Sequence, residues 1–225
     1  PGPTTPFGLV QLSPDTITGG DNAPGYSYEH TTIEGFSFTH MSGVGWYGDF
    51  GNLLTIATTG SLRFAVGRPL YPDEGWRSEF SHSTEVAQAG YYAVTLARYK
   101  IRAELSATPH AGILRFTFPQ STESHILVDL SRRIGGTSTR QYVKVVGRNA
   151  IEGWVHCTPR DGGWGNGDGQ VEYTLYFRME FSTPLGEFGV ARVDLPDVRL
   201  QGPSGLVGDY FSTDDYYDRV KNSRV

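Results

Sequence analysis

The chain has 225 residues, enough for one large domain or two small ones, and β-sandwiches of this length commonly form a single unit. Its 29 glycines and 13 prolines exclude the long uninterrupted helices of a bundle or coiled coil, while 12 Phe, 13 Tyr and 4 Trp supply a core that disordered sequences lack. A net charge of −5 without a Lys/Arg stripe argues against nucleic acid as a partner, no apolar run approaches the ~20 residues of a membrane span, and a lone cysteine, Cys157, forms no internal disulfide.

The first 60 residues are rich in Gly, Pro, Thr and Ser with aromatics placed singly, and they predict ordered loops laid over a β core. Val94 and Leu96, then Ile101, Ala103 and Leu105, predict two strands joined near Arg98–Lys100. Ile113, Leu114, Phe116 and Phe118 predict another, stopped at Pro119, and 126–130 reads as a short strand buried on both sides. Strands are also expected over 142–146, 151–157 and 188–193. The clearest alternation is Val171, Tyr173, Leu175, Phe177, Met179 and Phe181 against Glu172, Thr174, Tyr176, Arg178 and Glu180, a strand with one face in a core. Turn residues separate these runs, so the expected fold is all-β: a two-sheet antiparallel sandwich with long ordered N-terminal loops. Residues 202–225 form an acidic, aromatic tail that ends with no strand pattern or helix cap.

Several motifs lack the context that would give them meaning. Gly43-Val44-Gly45-Trp46-Tyr47-Gly48 matches a dinucleotide-binding pattern, but no helical periodicity follows and position 63 is Arg63 rather than an acid. Asp161–Gly169 resembles a calcium loop, yet Asn166 stands where that loop needs glycine, and a hairpin loop is the simpler reading. There is no G-x-S-x-G elbow, no H-E-x-x-H and no cysteine set for zinc. Asp73-Glu74 and Asp214-Asp215 are adjacent in sequence, whereas an acid/base couple faces one bond from separate elements. No catalytic residue is assigned in this chain, and its metal ligands are unknown.

Two stretches suggest a sugar-handling surface. The first is 6–16, with Phe7 and Gly8 beside Ser13-Pro14-Asp15-Thr16; the second runs from 31 to 49. In the second, His40, Ser42 and Trp46 surround Gly43 and Gly45, with Asp49 just beyond. Glycine lets backbone approach a ligand, an indole stacks on a sugar face, and His and Ser bond hydroxyls. A buried tryptophan with a capped turn is the simpler reading of these residue types alone.

The blocks Pro6-Phe7-Gly8…Gln11-x-Ser13-Pro14-Asp15-Thr16 and Thr31-Thr32-Ile33-x-Gly35-Phe36-Ser37-x-Thr39-His40-x-Ser42-Gly43-x-Gly45 resemble the N-terminal domain of glycoside hydrolase family 92, calcium-dependent exo-acting α-mannosidases. The likeness continues through 77–82, 90–94, 101–105, 107–110 and 126–130. It implies that residues 1–225 are the N-terminal β-sandwich of a longer enzyme whose (α/α)6-barrel catalytic domain is absent from this chain.

In that family the barrel supplies the acid, the base and most calcium ligands, and the sandwich closes the pocket around a terminal mannose. The resemblance thus implies an inverting α-mannosidase of terminal α-linked mannose, inactive as this chain alone. Its substrate-binding residues would be Phe7, Gly8, His40, Ser42, Gly43, Trp46 and Asp49, its cofactor calcium held mainly by the barrel. Its partners would be a mannose-containing glycan and its own C-terminal catalytic domain, in a secreted, periplasmic or cell-surface setting. Phe38 stands where family members often carry histidine. The alternatives are a free-standing lectin-like sandwich and an interaction module that docks through 202–225.

Overall fold

The computed structural model describes residues 1–16, 25–41, 50–68, 71–134, 136–159 and 171–191. Within the N-terminal loops lie β1 (Ser13–Asp15), β2 (Thr32–Ile33), β3 (Gly35–Ser37) and β4 (Leu54–Thr59). β5 (Ser78–Glu79), β6 (Val86–Gln88), β7 (Tyr91–Leu96), β8 (Ile101–Ala107) and β9 (Gly112–Thr117) follow. Next are β10 (Ser124–Asp129), β11 (Arg132–Arg133) and β12 (Gly136–Thr137). The described strands end with β13 (Arg140–Val146), β14 (Ala150–Cys157) and β15 (Tyr173–Glu180).

Two four-stranded antiparallel sheets, β1-β3-β4-β10 and the meander β6-β7-β8-β9, enclose the main core. Phe36, Leu54 and Ile56 of the first meet Val94, Leu96, Ile101 and Leu105 of the second, all essentially fully buried. Each such side chain contributes about 1.5–3 kcal/mol. The alternation of Ile101, Ala103 and Leu105 inward with Arg102, Glu104 and Ser106 outward is what lets β8 lie between two partners and still present one dry face. A third sheet, β13-β14-β15, packs Val143, Val155, Leu175, Phe177 and Met179 against Leu53 and Leu130 in a second cluster. The long alternating strand is present as β15, starting at Tyr173, with Val171 exposed before it.

Two expectations need correction, the first only in part. The run 126–130 packs on both faces from Leu127 onward, with Leu127 against the main core and Val128 and Leu130 in the second cluster, while Ile126 stays 37% exposed; among the described strands β10 pairs with β4 alone. No strand forms over 188–191, and 192–193 lie outside the described residues. The N-terminal segment is also more than a covering, since β1, β3 and β4 make three of the four strands of one core sheet.

Candidate functional site

Residues 4–11 form a tight loop closed by an antiparallel bridge between Thr4 and Gln11 and by Gly8 N–H donating to Thr5 O at 3.1 Å. Phe7 stands at its tip, fully exposed, with φ of 59°, a left-handed conformation that costs a non-glycine residue free energy. Gly8 is buried, and a Cβ there would lie 2.5 Å from Thr5 Oγ1, so the close turn excludes a side chain. Leu9 and Val10 N–H groups both donate to Pro109 O, at 2.8 and 3.2 Å, tying the loop to the β8–β9 turn.

Gln11 joins this loop to the second sequence block. Its N–H donates to Phe38 O at 2.8 Å, its carbonyl accepts from His40 N–H at 3.1 Å, and its side-chain amide donates to Gly8 O at 3.2 Å. Gln11 therefore ties the loop that carries Phe7 and Gly8 to the segment that carries His40. Ser42, Gly43, Trp46 and Asp49 lie outside the described residues, as does the Asp161–Gly169 loop; what is described is the stem from which 42–49 departs.

His40 does not stand on an open surface. It is 5% exposed, with Nε2 2.7 Å from Ser37 Oγ and 3.4 Å from Asp15 Oδ1, while Ser37 Oγ donates to Asp15 Oδ2 at 2.5 Å. Serine and aspartate thus share one ring nitrogen, unlike a nucleophilic triad, where they engage opposite nitrogens. Gly25, with φ of 91°, crosses over this group: a Cβ there would lie 2.5 Å from His40 Cε1 and 2.6 Å from Asp15 Oδ1.

Beneath lies a buried charge network that sequence reasoning missed. Arg132 places Nη2 3.2 Å from Asp15 Oδ1 and Nη1 2.6 Å from Glu34 Oε2. Arg77 meets Glu34 Oε1 at 2.5 Å and donates to Thr16 O at 2.5 Å. Two carboxylates are thus matched by two guanidinium groups, the pairing that buried charges need. Burial alone would raise the Asp15 carboxyl, but His40, Arg132 and the bonds from His40 and Ser37 outweigh it and hold it below the usual range. The Arg132 guanidinium is likewise held charged: burial disfavours it, and Glu34, Asp15 and Asp129 more than compensate.

The same economy anchors other loop stems. Thr16 Oγ1 lies 2.8 Å from His30 Nδ1 and accepts from Ser27 N–H at 3.0 Å, and Thr16 N–H donates to Gly25 O at 2.8 Å, joining the two sides of 17–24. Thr39 and Asn52 join the two sides of 42–49: Thr39 Oγ1 accepts from Asn52 N–H at 2.9 Å, and Gly51 N–H donates to Thr39 O at 3.0 Å. Asn52 also accepts from Tyr173 Oη at 3.1 Å and donates to Arg132 O at 2.9 Å. Arg133, 1% exposed, donates to Thr158 O at 2.7 Å and Val171 O at 3.3 Å on either side of 160–170. No sequence motif signals these bonds, because each links residues far apart in the chain.

Among the described residues no group of three or more His, Cys, Asp or Glu side chains could hold a metal ion. Asp15 and Glu34 are already neutralised by Arg132 and Arg77, so they do not fit calcium. A cleft of about 420 Å³ lies elsewhere, between β10 and the inner face of the third sheet, lined by Ile126, Val128, Val145, Ile151 and Phe188 among others. Phe7, Gly8 and His40 take no part in it.

Residues 1–212 match the glycosyl hydrolase family 92 N-terminal domain. The fold is similar to the family GH92 alpha-mannosidase BT3965 from Bacteroides thetaiotaomicron in complex with mannoimidazole, at 36% identity and a TM-score of 0.75 over 83% of this chain and 23% of that one. It is also similar to the GH92 family glycosyl hydrolase ccman5, at 30% identity and a TM-score of 0.60 over 79% of this chain and 23% of that one. An uncharacterized secreted glycosidase of Arthroderma benhamiae is 29% identical over 137 residues, 58% of this chain and 17% of that protein. The chain thus spans about a quarter or less of the length of these relatives.

Proposed function

Since the chain belongs to glycoside hydrolase family 92, matching its N-terminal domain over residues 1–212, we propose that it is the pocket-forming part of a secreted α-mannosidase that releases terminal α-linked mannose from glycans. The observation that carries this reading is the shared anchorage of the two sequence blocks: Gln11 bonds both Gly8 and His40, and His40 rests on Asp15 and Ser37. In this reading Phe7, Ser42, Trp46 and Asp49 contact the sugar, Gly8 and Gly43 let backbone approach it, and the buried His40 holds the frame beneath. The indole stacks on a sugar face while hydroxyl and carboxylate groups bond its hydroxyls.

The acid and the base are supplied by the rest of the enzyme. An inverting reaction needs two carboxyls separated widely enough to admit water, and the buried carboxylates Asp15 and Glu34 are held in ion pairs. Calcium, when bound there, would supply a hard cation for sugar hydroxyls, and its ligands would come mainly from outside this chain. This chain's residues bind and orient the sugar.

Assaying an aryl α-mannoside with the full-length enzyme and with residues 1–225, each in calcium and in chelator, tests this. Turnover by the full-length enzyme alone supports the reading. Turnover by 1–225 that survives repurification, or none by the full-length enzyme, overturns it.

A further inference from the structure

The third sheet turns one face to the second core cluster and the other outward. Cross-strand register places Tyr142 opposite Trp154 and Trp154 opposite Tyr176, so three aromatic residues from three strands form one row. They lie on the outward face, because Val143, Val155, Leu175 and Phe177, their immediate neighbours in sequence, pack inward. Tyr176 is 74% exposed, and Tyr142 and Trp154 are partly exposed. The Tyr142 and Trp154 rings are near-parallel, at 17°, with centroids 6.2 Å apart.

Such a row is costly to leave in water and contributes little to the core. Spanning two strand gaps, it is about 10 Å long, roughly two pyranose rings. Polar rows flank it. Register sets His156 between the exposed Arg140 and Thr174 on one side and Lys144, Glu152 and Arg178 together on the other. Lys144 Nζ lies 2.7 Å from Glu152 Oε1 and Arg178 Nη1 3.3 Å from Glu152 Oε2, so these charges are matched within the face. Apart from Arg140 at one edge, the charged groups bordering the aromatic strip are matched within the face, which suits a neutral, hydroxyl-rich ligand. One largely exposed ring and two partly exposed ones offer at most about 300 Å², well short of the roughly 800 Å² per partner of a stable protein interface.

We propose that Tyr142, Trp154 and Tyr176 form a second, shallow binding surface for an extended neutral glycan chain, separate from the pocket around His40. Its three residues stack on successive sugar units and hold a polymeric substrate on the enzyme. Neither catalysis nor the pocket assignment is required for this, so the two readings stand or fall separately.

Native electrophoresis of the full-length enzyme through gels containing soluble α-mannan tests the proposal. Trp154→Ala should weaken retention about tenfold and Tyr176→Ala about threefold, with kcat/KM on an aryl α-mannoside unchanged in both. Should Trp154→Ala fail to fold, Tyr176→Ala decides the matter. Retention by α-mannan equal to wild type in the folded variants, or a wild type that is not retained, overturns the proposal. So does a change in oligomeric state by sedimentation velocity at unchanged retention, which would make the face a contact between copies. Failure of the pocket reading would appear elsewhere, in the turnover of pocket variants.

Discussion

Arg132 and Glu34 stand 98 residues apart in sequence and meet at 2.6 Å in the interior. The same guanidinium reaches Asp15, and Asp15 reaches Ser37 and His40, so one cation fixes the frame on which His40 rests. The frame is rigid because every member is buried and each charge depends on its neighbour.

Removing that cation leaves two carboxylates buried without it. Arg132→Met should therefore destabilise the fold by about 3–5 kcal/mol, read as a lower denaturation midpoint at unchanged m-value. A loss below 1 kcal/mol would mean that water or movement relieves the charges.

Gly25→Ala confronts both a left-handed φ and the ring of His40. A cost of about 1–3 kcal/mol is expected from thermal unfolding, with Gly90→Ala as the comparison for positive φ alone, since nothing lies within 4 Å of a Cβ there. Equal costs at the two sites would remove the contact from the account.

Asp15 and His82 should shift stability with pH in opposite directions. Asp15 is depressed in the folded state, so its contribution is complete above the unfolded value of about 3.9 and is lost as pH falls through the lower folded value. The Asp15→Asn profile should be flatter across that acid window, though lower at neutral pH. His82 is raised, first by its bond to Glu85, so its contribution is complete below about 6.5 and is lost as pH rises through the folded value. Chemical denaturation from pH 5 to 9 should show Glu85→Gln without that alkaline decline; an unchanged slope would assign it elsewhere.

Much of this fold was legible from period-two alternation. The run from Tyr173 to Glu180 follows it without a break, and Ile101, Ala103 and Leu105 are buried as the pattern requires. The facing of Trp154 was less plain: it is half-covered, yet Val155 and Cys157 take the inward positions and leave it on the outer face. Leu127 and Val128 read as buried on both sides and do pack against the two separate clusters, but apolar content alone does not mark the edge position of the strand or the exposure of Ile126. Of the candidate site, the sequence pointed to Phe7, Gly8 and His40, whereas the Asp15–Arg132–Glu34–Arg77 frame was invisible. Asp15, Glu34 and Arg77 fall within the family-like stretches, but nothing there links them to one another or to Arg132, and only tertiary proximity pairs them.

Trp46 in the full-length enzyme provides the most direct test of the pocket assignment. Trp46→Ala should lower kcat/KM on an α-mannoside about tenfold, the loss of a stacking surface of about 1–2 kcal/mol, with the melting temperature nearly unchanged. A large fall in melting temperature at intact specific activity would make Trp46 a core residue, costing about 3–5 kcal/mol of stability on truncation, and would contradict the account.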